Sequence, residues 1–342
     1  MKRIPDDILR KRVFSILQKA GVNDRHAEIV TDCLIETDAY GVHTHGLNVL
    51  SAHIERIERG GYALDEEPEI TKETAAFAVV DGKKTIGPVS AVFCMNKAVE
   101  HAKKDGIYTV LCNNSNTFGA AFYYSLMAAQ NNMIGICMCN TPPAMAAWNG
   151  RDKILGTNPF SIGIPGKKNG PILLDMATSI VARSKIIEAK DKNEKIPYGW
   201  ALDETGHPTT DPIEAIRGTV LPMAEYKGYG IAMVIDIISG LLSGAAYLND
   251  VNKFYSKDDS SMNVGAFFSV LNPAVIFSDE FFGKIDDYIE RIHDSGGDIM
   301  PAVPGENRIK RKLESVRYGI EIEDETEEAI KKLMEKYGIE IK

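Results

Sequence analysis

The sequence predicts an α/β or α+β protein in which a mixed, strand-bearing middle lies between helical ends. Apolar residues recur at helical spacing near the N-terminus. Strand-like apolar runs alternate with helical patterns through the middle, and helical spacing returns from residue 279 onward. At 342 residues the chain can form two domains, or one large domain with an appended lobe.

Pro5, Asp6 and Asp7 signal a helix start. Ile8, Leu9, Val13, Ile16 and Leu17 then form an apolar stripe that Gly21 stops. A second helix is expected from Asp24, burying Ala27, Val30, Cys33 and Leu34, and a third from Gly46 to Arg59, ended by Gly60 and Gly61. In the middle, 75–80, 107–112, 133–139, 160–164 and 172–175 read as strands, with helical patterns over 90–103 and 120–130. The final helices are expected over 281–292, 308–316 and 324–337, the last with an acidic first turn that suits its dipole.

Composition narrows the function classes. A net charge of −9 supplies no basic excess for displacing counterions from a nucleic acid, so no nucleic-acid partner is expected. Arg308, Lys310, Arg311 and Lys312 sit among acidic residues and read as a solvated helix face. The five cysteines (33, 94, 112, 137 and 139) are odd in number with apolar neighbours, and the start does not read as a secretory leader. A reducing cytoplasm is the expected setting. Cys137 and Cys139 would share one strand face, which favours core packing over metal binding. The apolar stretch 228–246 approaches membrane-spanning length, yet Asp236 interrupts it and Ser239, Gly240, Ser243 and Gly244 suit a buried, closely packed helix. No membrane association is expected.

Several short motifs can carry chemistry. The loop Gly41-Val42-His43-Thr44-His45-Gly46 combines flexible glycines with imidazoles, the side chains best suited to proton transfer near neutrality. His43, His45 and His53 also admit a metal reading, although H-x-H is a weak signal, and a structural reading stays open. The polar stretch 113–121 follows a strand and precedes a helix, where free N–H groups can seat a phosphate or simply be capped. Stretches 155–160 and 174–179 put polar groups at strand ends, which often line clefts but also serve as turns and caps. Lys227, beside Gly228 and Gly230, and Lys185 can approach a phosphate or lie on the surface. The dinucleotide fingerprint G-x-G-x-x-G is absent; Gly228-Tyr229-Gly230 leads into an apolar run without the third glycine.

In order along the chain stand DAYGVHTHG at 38–46, NSNTFGAA at 114–121, NGRDKILGTNPFSIGIP at 149–165 and LDMATSIVARSKI at 174–186. They are followed by IPYGWALDETGHPTTDP at 196–212, YKGYGIAMVIDIISGLLSGA at 226–245 and VPGE at 303–306. Together these resemble the malate/L-lactate dehydrogenase family of the non-Rossmann type, whose members include ureidoglycolate and sulfolactate dehydrogenases, diketogulonate reductase and piperideine-2-carboxylate reductases.

The resemblance implies a homodimer and a mixed-sheet cofactor domain, 73–284, inserted between helical segments 1–72 and 285–342 that pack together. It implies hydride transfer between NAD or NADP and a small 2-hydroxy or 2-oxo acid, with His45 as acid/base and Thr44 where a serine is usual. Cofactor contacts are expected at Thr117, Phe118, Gly119, Ala120, Ala121, Thr141, Asp175, Met176, Ala177, Arg183, Ser184, Lys227, Pro304, Gly305 and Glu306, and substrate contact at Thr157; no metal is implied. Two positions depart from the family. Val49 stands where its substrate arginine is usual, and Thr117 where a histidine is common. Valine cannot grip a carboxylate by paired charged hydrogen bonds. Altered substrate choice is therefore expected at Val49 and Thr117; a cyclic imine acid as substrate, or cofactor binding without turnover, are the alternatives.

Overall fold

The protein was analysed as a computed structural model that describes residues 1–256, 259–277 and 280–340. A short strand, β1 (Lys2–Ile4), leads into α1 (Asp6–Lys19) and α2 (Asp24–Ala39). The Asn23 side chain caps α2 by accepting the His26 N–H at 2.9 Å. The third helix begins later than its pattern suggests. Two 3-10 turns, His43–His45 and Leu47–Val49, precede α3 (Leu50–Glu58), because the backbone of this segment is diverted around the buried side chain of Asp38.

The middle builds a seven-stranded sheet from β2 (Glu69–Glu73), β3 (Phe77–Asp81), α4 (Gly87–Asp105), β4 (Ile107–Ser115), α5 (Ala121–Gln130) and β5 (Ile134–Cys139). After a small two-strand unit, β6 (Met145–Ala146) and β7 (Lys153–Leu155), the hairpin β8 (Phe160–Ile164) and β9 (Ile172–Met176) completes one edge. Then come α6 (Arg183–Asp191), β10 (Ala201–Leu202), β11 (Pro208–Thr209), α7 (Pro212–Arg217), β12 (Thr219–Val220) and α8 (Tyr226–Asp236). β13 (Val264–Leu271) returns to the large sheet, whose order is β2-β3-β4-β13-β5-β8-β9. Only β3 and β4 pair in parallel, so the sheet is mixed and not doubly wound.

The central strand β13 escaped the sequence reading. It is buried along nearly its whole length, so it shows no alternation, and both its partners lie far back in the chain. Cys137 and Cys139 do point into the core on one face of β5. A second sheet, β11-β10-β12-β6-β7, has its own small core that includes Met145, Leu155, Ile186 and Val220. The stretch 228–246 is a correction: it forms α8 and then a π-helical turn, Ile237–Leu241, and it is only half buried. Ala232 and Ile235 face the interior while Val234, Ile237, Leu241 and Leu242 are exposed. Among the described residues no helix is long and apolar enough to cross a membrane.

After α9 (Ala274–Phe277) and α10 (Glu280–Asp294), the chain returns to its start through α11 (Glu306–Tyr318), β14 (Ile320–Ile322) and α12 (Asp324–Tyr337). β14 pairs antiparallel with β1, and Leu9, Val13 and Val30 share one core with Ile322 and Ile330. Within this helical body His53 is buried, its Nδ1 2.8 Å from the Tyr62 hydroxyl. Burial, helped by the nearby Arg56 charge, pushes its pKa down to about 4. The unfolded chain therefore binds this proton first as pH falls, so the neutral His53 stabilises the fold above its ordinary pKa of 6.5 and that contribution is lost between 6.5 and 4. The expected loss is roughly 3 kcal/mol. Urea unfolding at pH 7 and pH 4.5 should show it, with a shallower pH dependence in His53→Gln; equal slopes in the two proteins would refute the assignment.

Candidate active site

The histidine loop is organised by one buried carboxylate. Asp38 is 3% exposed near the end of α2; it accepts the Leu47 N–H and lies 2.6 Å from Nδ1 of His43. A Cβ on Gly46 would stand 2.3 Å from Asp38 Oδ2, so only glycine lets the chain wrap this closely. The Asp38 hydrogen bond raises the His43 pKa, and burial raises that of Asp38, so the pair holds a proton between its two members. His43 is thereby committed to the loop's own structure.

His45 is placed differently. Its Nδ1 is 2.9 Å from Thr44 Oγ1, and its Nε2 has no partner among the described residues. The residue is exposed, yet protein surrounds it closely enough for burial to depress its pKa, which is the condition of a side chain on the wall of a cleft. Asp175 opposes that depression and Arg308 adds to it. Thus two histidines two residues apart have their pKa values displaced in opposite directions.

A second wall is the loop entering α5. Gly119 adopts φ +83°, and a Cβ there would lie 3.7 Å from the His45 carbonyl. Phe118 is buried and stacked on Tyr124 at 4.9 Å, and Ala120 and Ala121 are buried too, so this loop offers a ligand backbone more than side chains. Thr117 is half-buried, with its N–H 3.4 Å from Met262 Sδ. Among the described residues no side chain caps α5; the Tyr123 N–H goes to the Ala120 carbonyl at 3.2 Å, and the N–H groups before it are open to an anion.

The third wall joins β9 to α11. Gly305, at φ +96°, packs so tightly that a Cβ would sit 2.7 Å from Leu173 Cβ, and the Leu173 N–H donates to the Pro304 carbonyl at 2.9 Å. Glu306 accepts the Val303 N–H at 3.0 Å and pairs with His293 at 2.5 Å, fixing this turn to α10. Arg308 then reaches back to Asp175, Nη1 to Oδ2 at 2.6 Å and Nη2 to the backbone carbonyl at 3.3 Å.

This corrects the expectation of a solvated basic face. Arg308 is tied to Asp175, Lys312 is 2.6 Å from Glu36 and Arg311 donates to the Gly41 carbonyl, while Lys310 is exposed as expected. Arg308 and Asp38 are the residues that motif reading passed over; the only signals were the adjoining VPGE and Asp38's place within the histidine motif.

The remaining candidates gather beyond β9. The Thr141 N–H donates to Asn158 Oδ1 at 3.0 Å, and the Thr157 carbonyl accepts both N–H and Oγ1 of Thr178, each at 3.0 Å. Met176 and Ala177 are half-buried. Lys227 and Arg183 are exposed and have no acidic partner among the described residues, whereas Lys185 pairs with Glu188 at 2.9 Å. The side chain of Ser184 lies outside the described residues. Val49 packs against the helical core, and His53 is bonded to Tyr62, away from His43. Among the described residues no three His, Cys, Asp or Glu side chains stand together to hold a metal ion. A groove of about 400 Å³ along α1 and α2, lined by Arg10, Phe14 and Asp32 among others, carries none of the candidate residues.

Comparison with known proteins bears directly on this site. A family model described as malate/L-lactate dehydrogenase matches residues 4–331. The chain belongs to the malate/L-lactate dehydrogenase family. It is 36% identical over 334 residues to malate/(S)-sulfolactate dehydrogenase of Methanothermus fervidus, covering 97% of each chain. It is 31% identical over 330 residues to ureidoglycolate dehydrogenase (NAD(+)) of Escherichia coli K12, covering 94% of this chain and 93% of that one. The solved sulfolactate dehydrogenase of Methanocaldococcus jannaschii superposes with a TM-score of 0.91 at 34% identity, over 99% of this chain and 98% of that one. The protein is thus a dehydrogenase that uses a nicotinamide cofactor and acts on a CH–OH group.

The loop geometry makes a direct prediction. Gly46→Ala forces its Cβ against Asp38, which should cost about 1–3 kcal/mol of stability. Thermal unfolding checks it, and an unchanged melting temperature would mean that the loop can yield.

Proposed function

We propose that the protein interconverts a small 2-hydroxy acid and its 2-oxo acid, with His45 moving the proton at the reacting oxygen. The observation that carries this reading is the state of His45: Nδ1 engaged by Thr44, Nε2 without a partner among the described residues, and surrounding protein that keeps the imidazole's pKa low. A neutral imidazole held in one orientation can accept a hydroxyl proton as the substrate is oxidised, and return it to the oxygen during reduction.

The bound nicotinamide supplies the hydride chemistry. The open N–H groups at the start of α5 and the cations Lys227 and Arg183 suit the phosphates of NAD or NADP. The segments 175–177 and 304–306 belong to the wall carrying Asp175 and Arg308, and Thr157 lies beyond them as a substrate contact. The relatives' names support a carboxylate-bearing substrate of the malate, sulfolactate or ureidoglycolate type. A homodimer is part of this reading, supported by the exposed apolar residues Val234, Ile237, Leu241 and Leu242 on and after α8. Light scattering should give twice the chain mass, and Leu241→Glu should give monomer; a monomeric wild type would remove the dimer.

His45→Ala should lower kcat by about 10²- to 10⁴-fold while changing cofactor affinity less than about twofold. Because burial depresses the His45 pKa, the neutral base persists below its ordinary value of 6.5. The acid limb of kcat/KM for hydroxy-acid oxidation should therefore lie below 6.5, and kcat/KM for reduction should fall as pH rises through the same pKa. An acid limb above 6.5, or a fully active alanine variant, would remove His45 from this role.

A further inference from the structure

We propose that Arg308 is the residue that grips the substrate's carboxylate. This rests on the hydroxy-acid reading above. In a 2-hydroxy or 2-oxo acid the carboxylate is bonded to the carbon that carries the reacting oxygen, so its partner must stand close to His45. Val49, just before α3, brings no cation there, since it is apolar and packs against the helical core, and Arg56 of α3 is taken up by the Phe254 and Ser260 carbonyls. His43 is occupied by Asp38, Arg183 starts α6 and donates to the Ile216 carbonyl at 3.3 Å, and Lys227 is exposed at the start of α8.

Arg308 satisfies the requirement by its position on α11. One turn further along, Arg311 donates to the Gly41 carbonyl at 3.2 Å, which lays this helix against the histidine loop. Upstream of it, Leu173 and Pro304 join the same helix to β9. Val42, Ala120 and Phe122 close the space between in a single apolar cluster, and the Arg308 guanidinium lies 4.9 Å over the Phe122 ring. Arg308 is therefore held between the loop that carries His45 and the strand that carries Asp175. The Asp175 and Arg308 charges both act on the His45 imidazole.

The bonding pattern leaves the guanidinium ready for a second acid. Asp175 takes one N–H from Nη1, and its carbonyl takes one from Nη2. An arginine has five N–H donors in a fixed plane, and the others on Arg308 have no acceptor among the described residues. Asp175 fixes that plane without filling it. The two side chains are only 25% and 11% exposed, so a bound carboxylate would meet an oriented cation rather than a solvated one. Charge balances in the reduction direction: Asp175 offsets Arg308, and the protonated His45 that donates to the oxo acid offsets its carboxylate.

The test is binding of oxamate, which carries a carboxylate beside its carbonyl, against oxamide, which does not, by the NADH-loaded protein. Wild type should prefer oxamate, and Arg308→Gln should weaken oxamate at least about tenfold while oxamide and NADH affinities move less than about twofold. Arg308→Lys keeps a cation for Asp175 and should fold normally, yet lose part of the oxamate preference because it cannot form the planar pair. In steady state the Gln variant should raise KM for a 2-oxo acid more than it lowers kcat. Retained oxamate affinity in Arg308→Gln, a parallel loss of NADH affinity, or no oxamate preference in wild type overturns the proposal. Oxamate binding that depends on Arg308 in a protein that turns over no hydroxy acid overturns the reaction assignment instead, and leaves the carboxylate site standing.

Discussion

A carboxylate with almost no access to water sets the course of the histidine loop. Asp38 must be satisfied where it lies, and it is satisfied by the chain that follows it: the Leu47 N–H and the His43 ring. That requirement bends 41–49 into two short turns, excludes a side chain at Gly46 and delays the next helix to Leu50. His45 is left projecting from this loop, with no partner for its Nε2 among the described residues. The difference between His43 and His45 lies in what each faces: an acid raises one, and loss of water lowers the other.

The site stands where distant parts of the chain meet. The helical body is closed by the chain's own ends, through β1 with β14 and a shared apolar core. Closing it lays α11 across the edge of the large sheet, where Gly305 permits backbone contact with Leu173 and Arg308 reaches Asp175. The ion pair therefore joins the histidine-bearing body to the strand that leads toward Thr178 and the second group of polar residues. A half-buried pair of this kind adds little to stability in itself, because desolvation offsets much of the attraction. Its consequence here is orientation.

Much of the architecture was legible from pattern. The helices over 6–19, 24–39 and 324–337 and the strand over 160–164 follow from apolar spacing and their end signals, and a sheet that is not doubly wound followed from the family resemblance. β13 was not legible, since a strand buried on both faces lacks alternation. The second sheet was missed because its strands are two or three residues long and depend on one another for definition. Phe118 shows the same limit within the site: its motif position marks a contact, but its ring is core.

The sequence by itself determined the family, through motifs kept in order over nearly the whole chain, and it singled out His45 and the departure at Val49. No single spacing carries these; the motifs do so jointly, because their order along the chain is kept where each alone is ambiguous. Which charges face His45 was decided only by the tertiary structure. Arg308 lies on a helix whose composition is that of a solvated surface, and nothing near it in sequence reveals that Asp175 will be 2.6 Å away. Side-chain partnership across the fold depends on how elements pack, and periodicity along a chain records which face of an element is apolar but not what that face will meet.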